Sequence, residues 1–186
     1  MMLCPSDAAD FANGSIAPVE INARGVGSHD ASEPIRAAHY SRLAGGGHKT
    51  ELAALSPGAE AGTVFVVAGL GDGSTLVFRR VERAHCAGGS ATLRMRVASG
   101  GVARGAVTVG IGDRRAAPDS FSYSASCALP ATSSWGAYVD VDCALPPAAG
   151  GDAAREVSLL LRFGGPSAGD EIARIATLRV ACGETG

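Results

Sequence analysis

The chain has 186 residues and is 46% hydrophobic but only 5% aromatic, so Ala and Val supply much of what it can bury. Its formal net charge of −2 argues against a nucleic-acid surface, which draws on clustered Lys and Arg. No apolar run nears the roughly 20 residues that a membrane-spanning helix needs, so no membrane partner is expected.

The first residues, Met1-Met2-Leu3-Cys4-Pro5-Ser6-Asp7, lack the basic and apolar regions of a signal peptide. Two placements follow: an intracellular chain, or an extracellular or cell-surface module cut from a longer secreted protein. Residues 1–33 show no sustained period and read as a linker or poorly ordered N-terminal segment, with a short strand at Val19–Ile21. Within them Asn13-Gly14-Ser15 fits the N-glycosylation sequon, which matters only after secretion. A compact domain is expected over 34–182, with a tail at 183–186.

Pro34–Tyr40 reads as the first strand of that domain and Ser41–Thr50 as a Gly-rich loop. Glu51–Leu55 is a short apolar piece, stopped by Ser56-Pro57-Gly58. Thr63–Ala68 and Thr75–Val81 are β-rich runs parted by Gly69-Leu70-Gly71-Asp72-Gly73. The clearest signal is Thr92–Val97, with Leu93, Met95 and Val97 on one face and Thr92, Arg94 and Arg96 on the other. That period of two belongs to a half-buried strand. After Ser99-Gly100-Gly101 the pattern resumes at Ala106–Ile111, and the two runs predict a hairpin at the centre of the domain.

Ser120–Ala128 alternates again, and Ala137–Cys143 alternates after Trp135, with Tyr138 out of step with Val139, Val141 and Cys143. Glu156–Phe163 is strongly apolar and Ile172–Val180 closes the series; the one place for a turn of helix is near Ala153–Arg155. Some eight or nine short antiparallel strands with Gly/Pro turns predict an all-β fold, a β-sandwich or jelly roll.

The five cysteines, at 4, 86, 127, 143 and 182, form neither a CxxC pair nor a Cys/His cluster at zinc spacing. Cys127 and Cys143 flank Trp135 symmetrically, and either a disulfide or two buried thiols fits; the pairing among Cys86, Cys127, Cys143 and Cys182 stays open, with Cys4 the odd one out. His39, His48 and His85 have no sequence neighbour that makes a catalytic pair; His85 and Cys86 are adjacent and point apart. Asp140 and Asp142, like Arg94 and Arg96, read as the solvent face of a strand. No enzyme is expected, since paired carboxylates for glycoside hydrolysis also need a cleft.

The order of motifs resembles that of family 6 carbohydrate-binding modules. Ile35–Ser41 and Gly46–Glu51 are similar to the family's opening Ile-Glu-Ala-Glu-x-Tyr strand and the loop ending near Gly-x-x-Thr-Glu. Gly71–Phe78 is similar to its Asp-x-Gly-Asp-Trp-x-x-Tyr strand, and Leu93–Gly100 to its Arg-x-Ala-Ser strand. Ser133–Tyr138 resembles its Gly-Gly-Trp-x-x-Trp, Leu160–Gly165 its strand ending in Phe-x-Gly, and Glu171–Ile175 its closing Asn-Ile-Asp-Trp-Ile. The likeness runs in order over residues 34–181.

The resemblance implies a non-catalytic β-sandwich that binds a polysaccharide or oligosaccharide, often joined to a glycoside hydrolase in the same parent protein. The family's cleft sits in the loops at one end and uses two aromatic rings, a carboxylate and an Asn. Carried over, one ring is Trp135 and the carboxylate is Glu51. The second ring falls on Gly69, and the Asn falls on Glu171, or on Asp170 if the loop slips by one. Half the clamp is therefore replaced. The family's structural calcium would meet Arg36, Ala38 and Ala173, which offer no oxygen ligands for a hard cation, so no metal and no cofactor is expected.

Trp135 is either a stacking platform for a sugar ring or a lid folded over the sandwich edge. Tyr138 lines the rim or packs into the core, and Glu51, Asp170 and Glu171 are sugar contacts or ordinary solvated carboxylates. The alternative function is a structural or protein-interaction β-sandwich that has lost its sugar site.

Overall fold

The computed structural model describes residues 35–37, 40–46, 48–55, 62–82, 91–100, 105–113, 120–124, 126–146, 156–166 and 170–182. The expected N-terminal segment with its sequon, Cys4, Ala38, His39, His85, Cys86, the Ala153–Arg155 turn and the 183–186 tail lie outside the described residues.

Among the described residues twelve strands are formed: β1 (Ile35–Arg36), β2 (Arg42–Ala44), β3 (His48–Leu55), β4 (Gly62–Leu70), β5 (Thr75–Glu82), β6 (Ala91–Ala98), β7 (Ala106–Gly112), β8 (Ser122–Tyr123), β9 (Cys127–Ala128), β10 (Val139–Ala144), β11 (Glu156–Gly164) and β12 (Ala173–Cys182). Eight are long and four, β1, β2, β8 and β9, have only two or three residues. They make two antiparallel sheets. The first has the order β10-β6-β12-β4-β3, with β1 sharing one edge of β12 with β4; the second has the order β2-β5-β11-β7, with β8 and β9 sharing the outer edge of β7. The fold is a β-sandwich.

Period-two alternation builds its core. Leu93, Met95 and Val97 of β6 and Ile175, Leu178 and Val180 of β12 point inward from the first sheet. Leu76 and Phe78 of β5, Val107, Val109 and Ile111 of β7, and Leu159, Leu161 and Phe163 of β11 meet them from the second. Most of these side chains have lost all contact with water, and each is worth roughly 1.5–3 kcal/mol of transfer free energy.

Two expectations are corrected here. β6 and β7 do not form a hairpin: β6 pairs with β10 and β12, whereas β7 pairs with β11, β8 and β9. β6 lies in the first sheet and β7 in the second, so the two alternating runs contribute to the core from opposite layers. Alternation says which side of a strand is buried, and both arrangements bury the same residues. The second correction concerns the Gly-rich loop, which holds β2 and the start of β3; β1, in turn, covers only the beginning of the expected first strand.

Outside the second sheet, Phe121 and Tyr123 pack over Val77 and Leu160. Gly110 makes room for them, since a Cβ there would come within 2.9 Å of the Tyr123 ring. The Ser120–Ala128 segment therefore contributes only the short β8 and β9 to the ladder.

Cys127 and Cys143 form a disulfide with Cα atoms 5.7 Å apart. It joins β9 of the second sheet to β10 of the first, so it ties the two layers together at one edge. The 16-residue separation encloses Trp135.

Candidate functional site

One end of the sandwich gathers segments that are distant in sequence. The ends of β4 and β6 and the beginnings of β12 and β10 lie there, because each antiparallel pairing sets the end of one strand beside the start of its neighbour. The start of β3 joins them, with Glu51 level with Val66.

The loop before β10 is anchored to the end of β6 by Thr132, which is only 4% exposed. Its hydroxyl oxygen accepts from the Ser99 N–H at 3.0 Å and the Gly100 N–H at 3.1 Å, and it donates to the Ser134 carbonyl at 2.9 Å. One buried hydroxyl thus uses its donor and both acceptor sites. The Ser99 hydroxyl adds a bond to the Pro130 carbonyl.

This anchoring sets Trp135 against Gly100. Gly100 has φ +60, the left-handed region, and a Cβ built on it would stand 2.3 Å from Trp135 Cε2 and 2.6 Å from both Cζ2 and Nε1. Cε2 is nearest and two of its three bonded neighbours, Cζ2 and Nε1, are both farther and equidistant, so Gly100 lies above the plane of the indole and not at its edge. The Ser-Gly turn is needed twice over, for its backbone angle and for the absent side chain.

The guanidinium of Arg174 lies over the same ring, its Cζ 4.9 Å from the centroid. Arg174 holds Glu171 in a fork: Nε donates to Oε1 at 2.9 Å and Nη2 to Oε2 at 3.1 Å. Glu171 Oε1 also accepts from the Gly69 N–H at 2.7 Å. A continuous set of contacts therefore runs from Gly69 through Glu171 and Arg174 to Trp135. The paired side chains are only 18% and 25% exposed, which shields the ion pair from water and strengthens its fork geometry.

The structure brings Trp135, Glu171 and the Gly69 backbone together, and it gives the other expected residues different settings. Asp170 is exposed, and its carbonyl sits so close to Gly71 that a Cβ there would meet it at 2.8 Å. Tyr138 is half-buried and packs with Val66 and Ala176 on the outer face of the first sheet. The side chain of Glu51 lies outside the described residues, as does that of Arg36. Ala173 is fully buried in the core. Among the described residues no group of three or more His, Cys, Asp or Glu side chains comes together to hold a metal ion.

Asp140 and Asp142 do not form a carboxylate pair. Asp142 bonds Arg94 at 2.8 Å through both oxygens, and Asp140 accepts from Arg96 at 3.1 Å. The Arg94 hydrogen bond, helped by the charges of Arg94 and Arg179, holds the Asp142 carboxyl below its usual range against the opposing pull of burial. These are cross-strand pairs on an outward face.

Sequence reading missed Arg174 as a partner of Trp135. Its place between inward-facing Ala173 and Ile175 marks it as outward. Only the pairing of β12 with β6, Arg174 level with Ala98, carries it to the end of β6, where Trp135 packs.

No family model matches the sequence, and no curated protein matches it. Solved structures do match its fold. A β-1,3-glucan-binding family 6 carbohydrate-binding module from Bacillus halodurans superposes with a TM-score of 0.62 at 16% identity, over 83% of this chain and 99% of that one. A family 6 module from Clostridium cellulolyticum, solved with xylose, gives 0.59 at 19% identity, over 82% and 99%. A family 43 arabinoxylan arabinofuranohydrolase from Bacillus subtilis, solved with cellotetraose, gives 0.59 at 14% identity, over 86% of this chain and 29% of that enzyme. The chain has the fold of family 6 carbohydrate-binding modules in divergent form.

Proposed function

We propose that this domain is a non-catalytic carbohydrate-binding module that takes a polysaccharide or oligosaccharide at the Trp135 end of the sandwich. The observation that carries the reading is the meeting of Trp135, Glu171 and Gly69, three positions that the family resemblance assigns to one cleft, in a single contact set. A sugar hydroxyl both donates and accepts, and the Glu171–Arg174 pair offers carboxylate acceptors beside guanidinium donors. The indole supplies a flat apolar surface suited to the C–H face of a pyranose. In this reading Asp170 and Glu51 border the site, Tyr138 supports its floor from the outer face, and no metal or cofactor takes part.

The natural setting for such a module is an accessory to a glycoside hydrolase in a longer extracellular protein. The fold likeness to one segment of the arabinofuranohydrolase supports that arrangement. A second reading, an interaction domain that keeps the fold without binding sugar, draws on the glycine that stands where a second ring is expected. Affinity electrophoresis through gels containing different polysaccharides separates the two. The wild type should be retarded by at least one and Trp135→Ala by none. A wild type that ignores every polysaccharide, with Arg174→Ala equally inert, favours the interaction domain.

A further inference from the structure

We propose that Arg174 is an internal cap on Trp135, occupying ring surface that a sugar needs and yielding it when ligand binds. The inference rests on the carbohydrate reading above and adds a specificity-determining residue to that site. Gly100 closes one face of the indole, as the position of its absent Cβ shows. The Arg174 guanidinium lies over the ring at stacking distance. A flat ligand that stacks where the guanidinium lies must therefore displace Arg174.

The cap is tethered. Glu171 grips it through Nε and Nη2, and Glu171 is itself held by the Gly69 N–H. A ligand that takes this part of the ring must replace the cation–π contact. A contact of that kind competes with a sugar on equal terms, since both use the π-face. The ligand that wins presents an apolar C–H face to the ring and hydroxyls to the displaced pair. A charged sugar gains less, because Glu171 already neutralises Arg174.

The test compares wild type, Arg174→Ala and Arg174→Lys in affinity gels of the same polysaccharides, alongside acrylamide quenching of Trp135, the only Trp in the chain. Removing the cap should tighten binding by roughly five- to tenfold, the range of a partly desolvated cation–π contact, and should raise quenching without ligand. Arg174→Lys, which keeps the charge and loses the plane, should fall between. Binding by Arg174→Ala where the wild type shows none is the same result in stronger form. Equal or weaker binding by Arg174→Ala, with quenching unchanged, overturns the cap and leaves the carbohydrate reading standing. No binding by wild type or Arg174→Ala overturns that reading and the cap with it. If Arg174→Ala does not fold, Arg174→Gln is read in the same way.

Discussion

Gly100→Ala tests the packing on which the site is built. The substitution adds one methyl group at a residue with φ +60, 2.3 Å from Trp135 Cε2. The left-handed conformation alone costs an L-residue about 1–2 kcal/mol. The indole must also retreat by about 1 Å to restore ordinary contact, and overpacking of that kind costs about 1–3 kcal/mol. Gly73→Ala separates the two effects, because Gly73 has φ +79 with nothing within 4 Å of its Cβ position. In urea unfolding, Gly73→Ala should lose about 1–2 kcal/mol and Gly100→Ala about 2–5 kcal/mol. Trp135 emission should shift only in Gly100→Ala. Equal losses in the two variants, or an unshifted emission in Gly100→Ala, would refute the contact between Gly100 and the indole face.

Thr132→Val should cost about 1–3 kcal/mol in the same assay, since it strands the Ser99 and Gly100 N–H groups at a buried site; a loss under about 0.5 kcal/mol would mean that water replaces the hydroxyl. Opening the Cys127–Cys143 bridge with dithiothreitol, or replacing both residues by Ser, should lower stability by about 3 kcal/mol for a loop of 16 residues. Mass spectrometry showing two free thiols in the oxidised protein would count against the bridge. Asp142→Asn should cost less than about 1 kcal/mol, because the Arg94 pair is more than 40% exposed on both sides. The folded-state carboxyl is depressed, so its small contribution is present above the unfolded value of about 3.9 and fades as pH falls through the lower folded value. Wild type minus Asp142→Asn stability measured against pH should therefore shrink only on the acid side.

Strand identity was legible because burial writes itself into alternation. Leu93, Met95 and Val97 declare a strand whatever pairs with it, and so do Val141 and Cys143. Pairing was not legible. β6 and β7 look like a hairpin because a Gly-rich segment parts two alternating runs, yet the two runs lie in different sheets. The short β2 was hidden for a different reason, since its three residues are too few to show a period. At the site, Trp135 and Glu171 came from motif order. Arg174 and Gly100 act through contacts between β12, β6 and the loop before β10, and no local pattern encodes those. The disulfide stayed undecided for a related reason: its residues lie in different sheets, and only the closed edge brings them to 5.7 Å.

The most direct test of sugar binding at Trp135 is a titration followed by the indole N–H resonance, which is single because the chain has one Trp. With an oligosaccharide of whichever polysaccharide the affinity gels select, the account predicts a saturable shift of that resonance, together with shifts at Gly69, Gly100 and Glu171. Saturable binding that leaves the indole signal in place while moving resonances elsewhere on the sandwich would contradict it.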